Sequence, residues 1–149
     1  MATKYSKELI SDLLIGRLPS EKVREIQKYT DEGRFEKVLE IEQERLGWAE
    51  KILLCLQEHL YVVEKGNRER VVRCSCGHEF GDYHINWKLN ALVYERNPQD
   101  GEVYKGPKAA DPNYMILREF YCPGCGTQLE VEAVPPGYPF VFNFLPYLD

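Results

Sequence analysis

With 149 residues, 44% of them hydrophobic and 29% charged, the chain has the size and composition of one ordinary globular domain. Its formal net charge of -5 argues against a duplex-binding finger, which needs an excess of Lys and Arg to neutralise phosphates. The charge is uneven: residues 1–70 carry 13 basic and 14 acidic groups, whereas residues 71–149 carry 6 and 10. No apolar run approaches the roughly 20 residues that span a bilayer, and Met1-Ala2-Thr3-Lys4-Tyr5 has no signal-peptide core. The expected location is the cytoplasm, where paired cysteines favour metal over disulfide.

Residues 1–59 read as a helical docking segment. Ser6 is placed to cap a helix carrying Leu9, Ile10, Leu13 and Leu14, with Gly16 ending it. Pro19-Ser20 opens a second helix with Val23 and Ile26. After a break at Asp31 or Gly33, the residues Phe35, Val38, Leu39, Glu42 and Leu46 follow helical spacing, and Gly47 is the stop. Helices this short are marginal alone in water, so they must pack on something. The apolar run Ile52-Leu53-Leu54-Cys55-Leu56 makes Cys55 a small buried hydrophobe. His59 lies four positions on, a spacing that is weak evidence for any shared chemistry.

Residues 60–134 read as an antiparallel β module. Leu60-Tyr61-Val62-Val63 and Val71-Val72-Arg73 flank a hairpin turn at Lys65-Gly66-Asn67-Arg68. The stretch Trp87–Tyr94 suits another strand. Asn97-Pro98-Gln99-Asp100-Gly101 and Lys105-Gly106-Pro107 interrupt the pattern. Met115–Tyr121 and Gln128–Glu132 flank the last turn. Residues 135–149 form a tail with four prolines and five aromatics, expected to lie extended in a groove. The fold class expected is therefore α+β: short N-terminal helices, a zinc-ribbon-like module, and an extended C-terminal tail.

The strongest signal is a pair of cysteine knuckles, Cys74-Ser75-Cys76-Gly77-His78 and Cys122-Pro123-Gly124-Cys125-Gly126. Two such pairs can close a tetrahedral thiolate site of the kind zinc prefers, with no position left for water or substrate. Cys74, Cys76, Cys122 and Cys125 are the expected ligands; His78 replacing Cys74 or Cys76 is the alternative. Gly77 and Gly126 follow the second cysteine of each pair, where a positive φ lets backbone N–H groups face sulfur. The 45 residues between the knuckles exceed a usual ribbon spacing, so an extra strand or long excursion lies between them. His59 and His84 read as surface or hydrogen-bonded residues, and Arg118-Glu119 as a cross-strand pair, a half-exposed sheet face or an interface. The chain contains neither G-x-x-x-x-G-K-[ST] nor G-x-G-x-x-G.

Three segments go beyond a generic ribbon: Arg73-Cys74-Ser75-Cys76-Gly77-His78-Glu79-Phe80, Asn86-Trp87-Lys88-Leu89, and Leu117-Arg118-Glu119-Phe120-Tyr121-Cys122-Pro123-Gly124-Cys125-Gly126-Thr127. With Tyr138-Pro139, they make residues 35–145 resemble the small zinc-containing subunit of the acetone and acetophenone carboxylases. The resemblance implies a hetero-oligomeric ligase that uses ATP to activate a ketone as an enol phosphate and carboxylates it with bicarbonate. Large catalytic subunits would bind ATP, the four cysteines would hold structural zinc, and no catalytic residue carries over. A short tail tilts the reading toward the aromatic ketone. Two other readings compete. One is a stand-alone zinc-ribbon module for protein or single-stranded nucleic acid, stacking on Tyr83, Trp87 and Tyr94. The other is a small zinc enzyme with one thiolate replaced by water. The chain is expected to be a carboxylase subunit that binds neither nucleic acid nor membrane.

Overall fold

The computed structural model describes residues 4–29, 31–100 and 109–148. The chain divides into two compact units, Met1–Ile52 and Leu53–Asp149.

The first unit holds α1 (Lys7–Leu14), α2 (Ser20–Gln27) and α3 (Arg34–Leu46). Ser6 caps α1, its Oγ accepting the Leu9 N–H at 3.2 Å, which satisfies one of the donors a helix start leaves over. Gly47 ends α3 in the left-handed region (φ 64°), and its N–H bonds back to Gln43. The core is Tyr5, Ile10, Ile26 and Ile41, with Leu9, Leu13, Leu18 and Val38 packed around it. Phe35, expected in the α3 stripe, is instead 52% exposed; the inward face of α3 runs through Val38 and Ile41. Asp31 supplies the polar tie: its buried carboxylate accepts the Tyr5 N–H and the Lys37 ammonium. Gln43 organises the exit from α3, donating to the Trp48 and Glu50 carbonyls and accepting the Ile52 N–H.

The last helix of the expected 1–59 helical segment ends at Leu46, at the expected Gly47 stop, but the same segment also contains the first strand, β1, at Lys51–Gln57. The run Ile52–Leu56 has no polar face, so periodicity cannot separate helix from strand there. Next come β2 (Leu60–Glu64), β3 (Arg70–Cys74) and β4 (Glu79–Asp82), completing a four-stranded sheet in the order β1-β2-β3-β4. Only Glu58 and His59 separate β1 from β2, which permits antiparallel pairing alone. The β2–β3 register runs from Leu60 opposite Cys74 to Glu64 opposite Arg70. The expected turn at Lys65–Arg68 closes this hairpin, with the Arg68 N–H on the Lys65 carbonyl at 2.8 Å.

The second sheet, β5-β6-β7, joins Leu92–Arg96, Ile116–Tyr121 and Gln128–Val134, all antiparallel. β5 is the extra strand expected between the knuckles. It starts later than the sequence suggested, because Trp87–Asn90 form a 3-10 turn. A strand would send Trp87 and Lys88 to opposite faces. The turn, capped by Asn86 Oδ1 on the Lys88 N–H, buries both, leaving Trp87 7% and Lys88 2% exposed. Pro98–Asp100 make a second 3-10 turn, whereas the expected break at Lys105-Gly106-Pro107 lies outside the described residues.

The core of this unit draws on both sheets: Leu60, Val62, Val72, Cys74 and Phe80 from the first, Phe120 and Cys122 from the second, and Tyr83 and Trp87 from the link. A row of edge-to-face rings runs through it, Phe80–Trp87 at 5.8 Å, Trp87–Phe120 at 5.9 Å and Phe120–Phe140 at 5.3 Å. Such contacts add roughly 0.5–1.5 kcal/mol each beyond burial. Phe140 belongs to the C-terminal segment, which its carbonyls tie down: Arg118 donates to Tyr138 and Pro139, Asn86 to Phe140, and Arg70 to Leu148. Among the described residues no helix is long and apolar enough to cross a membrane.

Candidate metal centre

The two knuckles are the turns that leave β3 and β6, one from each sheet. In the first, the Cys74 N–H bonds to the His78 carbonyl and the Gly77 N–H to the Cys74 carbonyl, both at 2.8 Å. In the second, the Cys122 N–H bonds to the Thr127 carbonyl at 2.9 Å and the Gly126 N–H to the Cys122 carbonyl at 2.8 Å. Gly77 and Gly126 take φ values of 95° and 72°, the left-handed backbone that L side chains resist. The matching turns present matching donors to sulfur: Cys76 N–H to Cys74, Gly124 and Cys125 N–H to Cys122, and Thr127 N–H to Cys125.

The sulfurs of Cys74, Cys76, Cys122 and Cys125 all lie within 4.8 Å of one another. Cys74 and Cys125 are 3.8 Å apart, and Cys76 and Cys122 are 3.7 Å apart. None of the four is in a disulfide; these separations are nearly twice the length of a disulfide bond. Cys74 and Cys122 sit in the core, while Cys76 and Cys125 face outward. The burial has an electrostatic signature. Burial pushes the Cys74 thiol up to about 12 and also raises Cys122, while the Thr127 hydroxyl at 3.1 Å and its N–H draw Cys125 down to about 6. Four sulfurs gathered this closely, half of them in a site that disfavours the bare thiolate, could hold a metal ion, and a cation would supply the missing charge.

His78 is not in the cluster. Its ring stands edge-on to Phe80 at 5.1 Å, and its Cβ packs against Gly124. A Cβ built on Gly124 would fall 2.8 Å from the His78 Cβ and 3.4 Å from the Cys76 sulfur, so only glycine lets the two knuckles approach this closely. His84 is exposed and paired with Asp82 at 2.7 Å. Cys55 is half-buried within β1, and His59 turns away toward the first knuckle. There its Nδ1 lies 3.3 Å from the Ser75 hydroxyl and its carbonyl accepts the Ser75 N–H. Tyr83 and Trp87, considered as stacking surfaces, are core residues at 8% and 7% exposure.

Beside the centre lies a buried ionic cluster that sequence reasoning caught only in part. Arg118 faces Glu132 across β6 and β7 and donates to it, which is the cross-strand pairing considered, but it is 2% exposed rather than on an open face. Lys88 reaches the same Glu132 and also Glu130. Arg118 stacks on Phe140 with its Cζ 4.5 Å from the ring centroid. Glu119 takes a different partner, a bidentate pair with Arg96 at 2.9 and 3.1 Å. The one available hint was the compact motif Asn86-Trp87-Lys88-Leu89; nothing local announces that a Lys in it is buried.

Comparison with known proteins places these features in a family. A family described as "Acetone carboxylase gamma subunit" matches residues 46–149. The acetone carboxylase gamma subunit of Xanthobacter autotrophicus is 38% identical, over 97% of this chain and 89% of its own length. The acetophenone carboxylase beta subunit of Aromatoleum aromaticum is 40% identical over 72 residues, covering 46% of this chain and 56% of its own.

Proposed function

The chain belongs to the acetone carboxylase gamma subunit family, and from that premise we propose that it is the small, non-catalytic, zinc-holding subunit of an ATP-dependent ketone carboxylase. The observation that carries the zinc reading is the spacing of the sulfurs. A tetrahedral zinc site with bonds of about 2.3 Å puts its sulfurs about 3.8 Å apart, which the 3.8 and 3.7 Å pairs match. Four soft donors of one kind fit zinc and leave none of the oxygen ligands that magnesium or calcium requires. With four protein sulfurs in place, the zinc would supply charge and a folding constraint, with no open position for a substrate. The residues holding it are Cys74, Cys76, Cys122 and Cys125, and the N–H groups of the knuckles orient them.

On this reading ATP, bicarbonate and ketone are handled by larger partner subunits in a cytoplasmic hetero-oligomer, consistent with a chain that lacks a phosphate-cradling motif. The ketone we favour is acetone. The relative that covers nearly the whole chain is an acetone carboxylase subunit, while the acetophenone carboxylase relative covers under half. A tilt toward the aromatic ketone rested on tail length, a poor marker in a subunit that need not touch substrate. The test is purification of the native complex through a tag on this chain. Large subunits should co-purify with about one zinc per copy, and the complex should hydrolyse ATP only when ketone is supplied. A zinc-loaded chain that purifies alone and has no large partner would overturn the proposal.

A further inference from the structure

The family match begins at residue 46, so the helical unit is the part of the chain that the zinc module does not explain. This unit carries a groove of about 730 Å³ between α1 and α3. Leu14, Ile15 and Ile41 form its apolar lining, and Leu14 and Ile15 are 42% and 48% exposed. Its charged lining is one-sided: Glu8, Asp12, Glu42 and Glu44 against Lys7 and Arg45. Both cations are already engaged, Lys7 by Glu44 at 2.6 Å and Arg45 by Glu42 at 2.5 Å. Glu8 and Asp12, one turn apart on α1, have no ion-pair partner among the described residues. Glu8 is eased by the start of α1, by Ser6 and by the neighbouring Lys7, so the groove keeps a net negative charge, centred on Asp12, beside its apolar lining.

We infer that the α1–α3 groove is the docking site for an amphipathic helix of a partner carboxylase subunit, bearing an apolar stripe flanked by Lys or Arg. Apolar anchors entering a groove of this kind provide the affinity, and rim charges set orientation and encounter rate. Charge complementarity argues against a second copy of this chain as the occupant. α1 and α3 carry more acidic than basic residues, α2 balances Glu21 and Glu25 with Lys22 and Arg24, and the inward face of α2 is already spent on Ile26. None of the described helices offers the basic, apolar face the groove requires. This inference rests on the proposed role in a carboxylase complex, and it adds the surface and the chemistry of the contact.

The experiment uses the full chain in the assembled complex. A photo-crosslinking residue is introduced at Leu14, and the crosslinked peptide is sequenced. In parallel, affinity for the large subunits is measured for Asp12→Lys, with Glu21→Lys on the exposed part of α2 as the control carrying the same charge change. The expected result is a crosslink to a Lys- or Arg-bearing amphipathic segment of a larger subunit. Affinity should fall about fivefold or more for Asp12→Lys and stay unchanged for Glu21→Lys, with a steeper salt dependence in the wild type. A complex that assembles while the crosslink falls on this chain or a second copy, or nowhere, overturns the groove and leaves the carboxylase role standing. Equal effects of the two charge reversals overturn it as well. Failure of the wild-type chain to bind any large subunit overturns both.

Discussion

At the scale of single residues, two backbone positions hold more of the fold than their side chains suggest. Gly124 is the contact between the knuckles. Its missing Cβ makes room for the His78 Cβ and the Cys76 sulfur, both parts of the first knuckle. We expect Gly124→Ala to destabilise the metal-loaded chain by about 1–3 kcal/mol and to weaken metal retention in a competition assay with a chelator. Unchanged retention would show that the knuckles have slack. Arg68 works in the opposite sense. It closes the β2–β3 hairpin with a φ of 64°, a conformation that costs a side-chain-bearing residue roughly 1–2 kcal/mol. Arg68→Gly should therefore raise the thermal midpoint, by an amount corresponding to about 1 kcal/mol after the greater freedom of the unfolded glycine is counted. The four cysteines that gather in the structure were legible from the sequence because spacing within each knuckle is a local property, as were the positive-φ glycines after them. Gly124 was not, since its role depends on a neighbour 46 positions away.

At the scale of elements, the second sheet is held by charges inside it. Lys88, Arg118, Glu130 and Glu132 form one network next to Phe120 and Phe140. Removing one partner from such a cluster leaves a buried charge uncompensated, so Lys88→Met should cost about 3–5 kcal/mol in chemical unfolding. The network also sets a pH response. Burial raises the Glu132 carboxyl, but hydrogen bonds from Lys88 and Arg118 outweigh this and hold it below its ordinary value of 4.5. A group whose folded value is depressed gives stability that is complete above the unfolded value and is lost as pH falls through the folded one. The β unit should therefore lose stability as pH falls below about 4.5, and Glu132→Gln, measured by unfolding across that range, should flatten this part of the curve while lowering stability at neutral pH. Sequence reasoning reached most elements but failed in two places for one physical reason. Periodicity reports which faces are buried. β1 at Lys51–Gln57 has no polar face to report, and Trp87–Asn90 buries two neighbours that a strand would separate.

At the scale of the whole molecule, the chain is a β unit of two antiparallel sheets carrying the four-cysteine cluster, accompanied by a helical unit whose surface is only partly spent on its own core. Each sheet contributes one knuckle, so the four sulfurs join β3 to β6 and, through Cys74 and Cys122, close the top of the shared core. A structural zinc there would contribute roughly 10 kcal/mol or more of apparent binding free energy, comparable to the entire stability of a domain this size. Cys122→Ser should therefore unfold the β unit and remove the chain from its complex, seen as loss of co-purification with the large subunits. Assembly at wild-type levels would contradict a structural role. The fold class and the cysteine set could be read in advance, but the docking groove could not, because it is made by two helices meeting with their charges already partly spent.

The central claim is that this subunit holds a closed, four-sulfur zinc site that has no part in the chemistry. Zinc-edge X-ray absorption on the purified complex tests it most directly. The account requires four sulfur neighbours at about 2.3 Å, unchanged when ketone and ATP are added. A nitrogen or oxygen neighbour in the first shell, or a shell that alters with substrate, would contradict it.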